Sequence, residues 1–231
     1  MDESHLIRIR DEWGASHFER APPDVLHGLP LPPDATPLLR AIGLPTGPAM
    51  ALTLFLRFEN VNIIHEPRAL RVLKEADFEI GSAFPRVGNP DLDTWIDLRQ
   101  FVVLGEVQHD SGPGRNTRLL CIDGIRGNVW WVYPTRPRNE QSTACFSLNS
   151  NVTAYLASLL AYKCFREKWW ELLQRFADYD EEVPIDDPAY VREAEAMHAQ
   201  FLERLQAADS THFTGGFWED HAWNEHILMH S

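Results

Sequence analysis

Between Phe101 and Tyr162 the apolar residues change their spacing, and each spacing predicts a different element. Phe101-Val-Val-Leu-Gly105 reads as a strand, and Leu119 to Tyr133 reads as a hairpin turning at Asp123 to Gly127. In the first arm of that hairpin Leu120 and Ile122 alternate with Leu119 and Cys121, so both faces are apolar. A strand of that kind belongs in the middle of a sheet, beneath a layer of helices. In the second arm Trp130 and Trp131 are neighbours and must point to opposite faces, and both are expected to be structural. After Asn149-Ser150 the spacing becomes three and four, through Val152, Tyr155, Leu156, Leu159 and Leu160 to Lys163. The stripe continues through Phe165, Trp169, Leu172, Leu173 and Phe176, which predicts one long helix with Asn149 or Ser150 as its N-cap.

The flanking segments are less regular. Leu6, Ile7, Ile9 and Trp13 suggest a helix from Glu3 to Trp13, closed at Gly14. Ala21 to Pro37 carries six prolines and is expected to be an extended connector. A short helix fits Thr36 to Ile42, with Gly43 at its end and Leu44-Pro45 as a sharp exit. Strands are expected over Ala51 to Phe58, Asn60 to Ile64 and Phe78 to Phe84, with a brief helix at Ala69 to Glu75. Downstream, Asp178 to Pro188 is an acidic loop leading into a helix of about Ala189 to Ala207, and an aromatic-rich end surrounds Phe217, Trp218 and Trp223. There is no internal repeat and no low-complexity segment.

Composition narrows the classes. A chain of 231 residues, 44% of them hydrophobic, is long enough for a substantial core and short enough to favour a single domain. No apolar run is long enough to span a bilayer, and the acidic start does not resemble a secretory signal, so no membrane partner and a cytoplasmic location are expected. Cys121, Cys145 and Cys164 are odd in number and show no C-x-x-C spacing, which reads as reduced core thiols. The formal net charge of −13 argues against nucleic acid as a partner, because phosphate backbones are held by clustered Lys and Arg.

The groupings that look chemical do not assemble into a catalytic motif. His109-Asp110-Ser111 has the residue types of a hydrolytic triad, but immediate neighbours cannot place the imidazole between the other two groups. His212, His221, His226 and His230 crowd the C-terminus, and the spacing of His226 and His230 would let one helix face present both to a metal. Glu225 precedes that pair instead of lying within it, so it departs from H-E-x-x-H. The carboxylates from Asp178 to Asp187 lie in a proline-containing loop, where solvation is the expected state. Neither a metal nor a cofactor is called for, and no catalytic residue is assigned.

The order of the elements resembles the SUKH superfamily of bacterial immunity proteins, and within it the fourth subfamily. The residues that carry the resemblance begin with Trp13-Gly14, Pro30 and Leu38-Leu39-Arg-Ala-Ile-Gly-Leu-Pro45. They continue with Phe101-Val-Val-Leu-Gly105, Leu120-Cys-Ile-Asp-Gly-Ile-Arg-Gly-Asn-Val-Trp130 and Leu148-Asn-Ser-Asn-Val-Thr-Ala-Tyr-Leu-Ala-Ser-Leu-Leu-Ala-Tyr162. The resemblance implies a single α+β domain, its mixed or antiparallel sheet flanked by helices. The core is placed at about residues 6–165 and a helical C-terminal extension at about 166–231. It also implies a non-enzymatic role, binding and neutralising a cognate toxin domain, with a nuclease among the toxin classes.

Two segments depart from the family pattern, the connection from Glu106 to Thr117 and the acidic, His-rich end. Loops on a scaffold commonly bear its contacts, so the partner-binding candidates are His109, Asp110, Asp178, Asp180, Glu181, Glu182, Asp186 and Asp187. Two other readings stay open at this stage: a regulatory scaffold that holds another cellular protein, and a metal-dependent enzyme using the C-terminal histidines. The oligomeric state is not legible.

Overall fold

The computed structural model describes residues 3–46, 52–56, 59–78, 86–89, 94–109, 118–132, 145–176 and 187–211. Helix α1 spans Glu3–Trp13 and ends where expected, with the Gly14 amide donating back to the Arg10 carbonyl at 3.0 Å. A 3₁₀ turn at Ala15–His17 leads into the two-residue strand β1, Phe18–Glu19. The proline-rich stretch is not wholly extended, for it holds a single helical turn, α2, at Pro23–Leu26. Pro23 opens that turn, a position where the missing amide costs nothing. Helix α3 covers Ala35–Ala41, and the Gly43 amide closes it by donating to Leu38. Leu44–Pro45, expected only as an exit, forms strand β2 and pairs antiparallel with β1.

The main sheet is antiparallel throughout its described pairings. Its strands are β3 (Leu52–Leu56), β4 (Glu59–His65), β5 (Arg71–Val72), β8 (Phe101–His109), β9 (Arg118–Asp123), β10 (Val129–Val132) and β11 (Cys145–Asn149). A separate hairpin of β6 (Arg86–Asn89) and β7 (Thr94–Asp97) lies between β5 and β8 in the chain. Across the main sheet the order is β11-β10-β9-β8-β4-β3, with β5 also paired to β8. The apolar hairpin is therefore central, as its pattern predicts.

Period-two alternation sends the hairpin residues into two different cores. Leu120, Ile122, Val129 and Trp131 join the helices on one face, with Val102, Leu104 and Leu148. Leu119, Cys121, Trp130 and Val132 join Leu73, Ile96, Leu98 and Phe101 on the other. Both tryptophans are buried, on opposite faces. Cys121 and Cys145 are buried free thiols, and Cys164 is partly exposed.

Three further expectations are overturned. The brief helix at Ala69 to Glu75 is instead strand β5, in register with Val102 and Val103, followed by a 3₁₀ turn at Glu75–Asp77. Pairing to an open edge of β8 outweighs the local propensity, and Asp77 fixes the turn by accepting from the Lys74 amide at 2.7 Å and from Arg71 at 2.6 Å. The connection expected from Glu106 begins later, because β8 runs on to His109, in register with Val61. A bulge at Leu104 lets one edge of β8 serve two partners, β5 before it and β4 after it.

The third correction concerns the cap of the long helix. Helix α4 spans Val152–Phe176, and its cap is Asn151, whose side-chain oxygen accepts from the Ala154 amide at 2.9 Å. Asn149 is unavailable for that role because it lies buried in β11, donating to Ser158 Oγ at 3.1 Å. Helix α5, Pro188–Ala208, runs antiparallel to α4 and matches the predicted span closely. Phe201 stacks on Phe165 with ring centroids 4.6 Å apart, and Tyr190 meets Trp169 and Phe176 near the other end. The first half of α4 is thus enclosed by the sheet, by α1 and α3, and by α5. Of the strand predicted at Phe78 to Phe84 only Phe78 is described, closing the 3₁₀ turn in extended conformation, and the aromatic end after residue 211 lies outside the described residues.

Candidate functional site

Of the partner-binding candidates, Asp110, Asp178, Asp180, Glu181, Glu182 and Asp186 lie outside the described residues, as do His212, His221, His226 and His230. His109 is the last residue of β8. Asp187 is the N-cap of α5, its Oδ1 accepting from the Ala189 amide at 2.7 Å just ahead of Pro188. Its carboxylate therefore holds the start of a helix in place, whatever else it meets.

The buried polar side chains near the sheet are engaged in fastening elements together. His65 Nδ1 lies 2.8 Å from the Pro45 carbonyl and Nε2 lies 3.0 Å from the Tyr155 hydroxyl. A carbonyl can only accept, so Nδ1 carries the proton and the hydroxyl donates to Nε2. Burial pushes the His65 pKa down to about 4, and the same burial pushes the Tyr155 hydroxyl up, so both are neutral near pH 7. Asp123 accepts at Oδ1 from the Ile125 and Arg126 amides and from Gln100, which shapes the turn between β9 and β10. Asp209 accepts at Oδ2 from the Ser150 amide at 2.6 Å and from Asn149, tying the end of α5 to the start of α4.

Among the described residues no group of three or more His, Cys, Asp or Glu could hold a metal ion. No described helix is long and apolar enough to cross a membrane. What the structure offers instead is surface. Trp170 is 62% exposed on α4, and Ile125 is 72% exposed at the β9–β10 turn. A polar groove of about 860 Å³ lies where α1, β1 and the turn after β4 meet, lined by Arg10, Arg20 and Arg68 among others.

Sequence reasoning missed this groove because its arginines are scattered along the chain and only β1–β2 pairing and the turn after β4 gather them. Trp170 left a faint signal: it falls outside the stripe of Phe165, Trp169 and Leu172 and beside exposed Glu167 and Glu171.

The family model of the SUKH-4 immunity protein matches residues 8–227. The chain belongs to the SUKH-4 immunity protein family. No curated protein and no solved structure matches it. The family match extends well past the pattern from Trp13 to Tyr162 and takes in α5 and the acidic segment before it.

Several residues that carry the SUKH-4 resemblance prove to be packing devices. Trp13 meets Phe18 edge to face with centroids 5.7 Å apart, closing α1 onto β1. Gly124 lies so close to Pro30 that a Cβ there would strike the Pro30 carbonyl oxygen, and it would stand 2.7 Å from that of Gln100. Gly124 is thus explained by the close approach of backbone segments, and Trp13 by its ring contact.

Proposed function

We propose that this chain binds a cognate bacterial toxin domain and neutralises it by covering the toxin's active surface, without catalysis of its own. The observation that carries the reading is the immunity-family match across residues 8–227. The net charge of −13 supports a basic toxin, of which a nuclease is the class that fits best, because like potentials repel and opposite ones steer association. On this reading the protein acts in the cytoplasm as a single domain. The acidic segment Asp178, Asp180, Glu181, Glu182, Asp186 and Asp187, together with His109 and Asp110, supplies the contact surface.

Co-expression with the toxin domain encoded beside its gene tests the main reading. Restored growth and co-purification are expected, and toxicity undiminished by the protein would refute immunity. The acidic segment is tested separately, by reversing charge at Asp180, Glu181, Glu182 and Asp186 while changing Asp187 only to Asn, which still caps α5. Slower association at low salt is expected, and an unchanged rate removes the segment from the interface.

A further inference from the structure

Three arginines from separate parts of the chain line one groove on this strongly acidic protein. Arg10 comes from the last turn of α1, Arg20 from the residue after β1, and Arg68 from the turn that follows β4. The remaining lining includes the hydroxyl residues Ser16 and Thr46, the apolar Phe18, Pro22 and Ile42, and a single carboxylate, Glu19. Three guanidiniums stand against two carboxylates, Glu19 in the lining and Asp11 on Arg10, which leaves a local excess of positive charge on a chain whose formal net charge is −13. The volume of about 860 Å³ falls within the range of ligand-holding clefts.

We propose that this groove receives an extended acidic segment of the protein partner, with its carboxylates on the arginines and an apolar side chain on Phe18 and Pro22. The proposal rests on the reading of the chain as a toxin-binding protein and names the chemistry of one contact. Two of the arginines already hold carboxylates here, Arg68 that of Glu19 and Arg10 that of Asp11 at 3.0 Å. Their guanidinium forks are therefore oriented for carboxylate geometry at this surface. Each pair joins an exposed side chain, Arg68 at 79% and Asp11 at 57%, to a half-buried one, Glu19 and Arg10, so solvent reaches both pairs and screens them. Arg20 is exposed and has no carboxylate partner among the described residues, so of the three arginines it is the one that an incoming acid can meet without displacing a described partner. A nucleic acid is the poorer occupant, since a long polyanion would lie along the rest of an acidic surface, whereas a short acidic segment touches only the groove.

The test uses the full chain and a fluorescein-labelled peptide of alternating glutamate and leucine, followed by anisotropy at low ionic strength. Saturable binding is expected, weakened at least ~tenfold in an Arg20→Glu, Arg68→Glu double variant. The lysine–leucine counterpart, inorganic phosphate and single-stranded DNA are expected not to bind. Both substituted side chains are exposed, so an unchanged circular dichroism spectrum is expected, and an Arg20→Gln, Arg68→Gln variant gives the milder version of the same loss. Absent binding, equal affinity in the double variant, or preference for DNA would each overturn the groove. The double variant is also co-expressed with the toxin domain. Weaker co-purification supports the contact, whereas full retention overturns it and leaves immunity standing. Failure of the wild-type chain to protect sinks the immunity reading, and with it the partner named here.

Discussion

The side chains of His65 and Tyr155, ninety positions apart, meet in a 3.0 Å hydrogen bond with their rings nearly edge to face at 66°. The contact joins the end of β4 to the first turn of α4, and the other imidazole nitrogen fastens β2 through the Pro45 carbonyl. Three elements thus depend on one neutral imidazole.

That dependence fixes the sign of a pH effect. Folding lowers the His65 pKa from 6.5 to about 4, because the buried ring resists a charge. Between those values the unfolded chain takes up a proton that the folded chain refuses, so stability is full above the unfolded pKa and falls as pH drops toward the folded one. From pH 7 to pH 5 the loss from this group is expected to be about 2 kcal/mol. Urea denaturation at both pH values checks it. His65→Gln should be less stable at pH 7 but should lose this part of the slope; an equal slope in the variant would assign the effect elsewhere.

Tyr155→Phe keeps the ring and removes only the donor. The buried Nε2 of His65 would then lack its described partner, at a cost of about 1–3 kcal/mol. Denaturation midpoints at pH 7 should show the loss, with the far-ultraviolet circular dichroism unchanged. A variant as stable as the parent would mean that the hydroxyl contributes nothing net.

Asp209 offers a local test of how α5 is held. Its Oδ2 receives the Ser150 amide and the Asn149 side chain, and its Oδ1 receives the Thr211 hydroxyl at 2.8 Å. Asp209→Ala should cost about 2–3 kcal/mol, since hydrogen bonds to a charged group are the stronger kind and their donors are left in a buried site. Asp209→Asn retains an acceptor and should recover part of the loss. Hydrogen exchange should show faster opening at Ser150 and along the end of α5 in the alanine variant, and uniform protection there would contradict the tie.

How far the sequence could be read followed from the range of the forces involved. The hairpin, α1, α3, α4 and α5 are set by local periodicity and caps, so Leu119 to Trp131 and Val152 to Phe176 were legible. Strand β5 and the β6–β7 hairpin were not, because Arg71 and Val72 become a strand only by meeting Val103 and Val102. The true cap, Asn151, was off by one position from Ser150 because the engagement of Asn149 with Ser158 and Asp209 spans sixty residues. The arginine groove was invisible for the same reason, since nothing local links Arg10, Arg20 and Arg68. The acidic candidates lie in segments that depart from the family pattern, and among them only Asp187 has a described side chain, where it serves as a cap.

Gly105 marks the point at which β8 changes partner, and it should be the least replaceable residue of the central sheet. It pairs with His65 immediately after the bulge at Leu104, where β4 comes close. A Cβ at Gly105 would collide with the Ile64 carbonyl oxygen and stand 2.8 Å from the His65 Cα. Both obstacles are backbone, so no side-chain rotation relieves them, and β4 would have to move away from β8. Moving β4 would also pull His65 from Tyr155 and Pro45, which couples the sheet defect to the α4 contact. Gly105→Ala is therefore expected to cost more than about 3 kcal/mol, beyond the range of most single substitutions. The loss is read as a fall in soluble yield and melting temperature, and the pH dependence assigned to His65 should shrink with it. A Gly105→Ala protein that melts with the parent would show that the β4–β8 approach is looser than the structure places it.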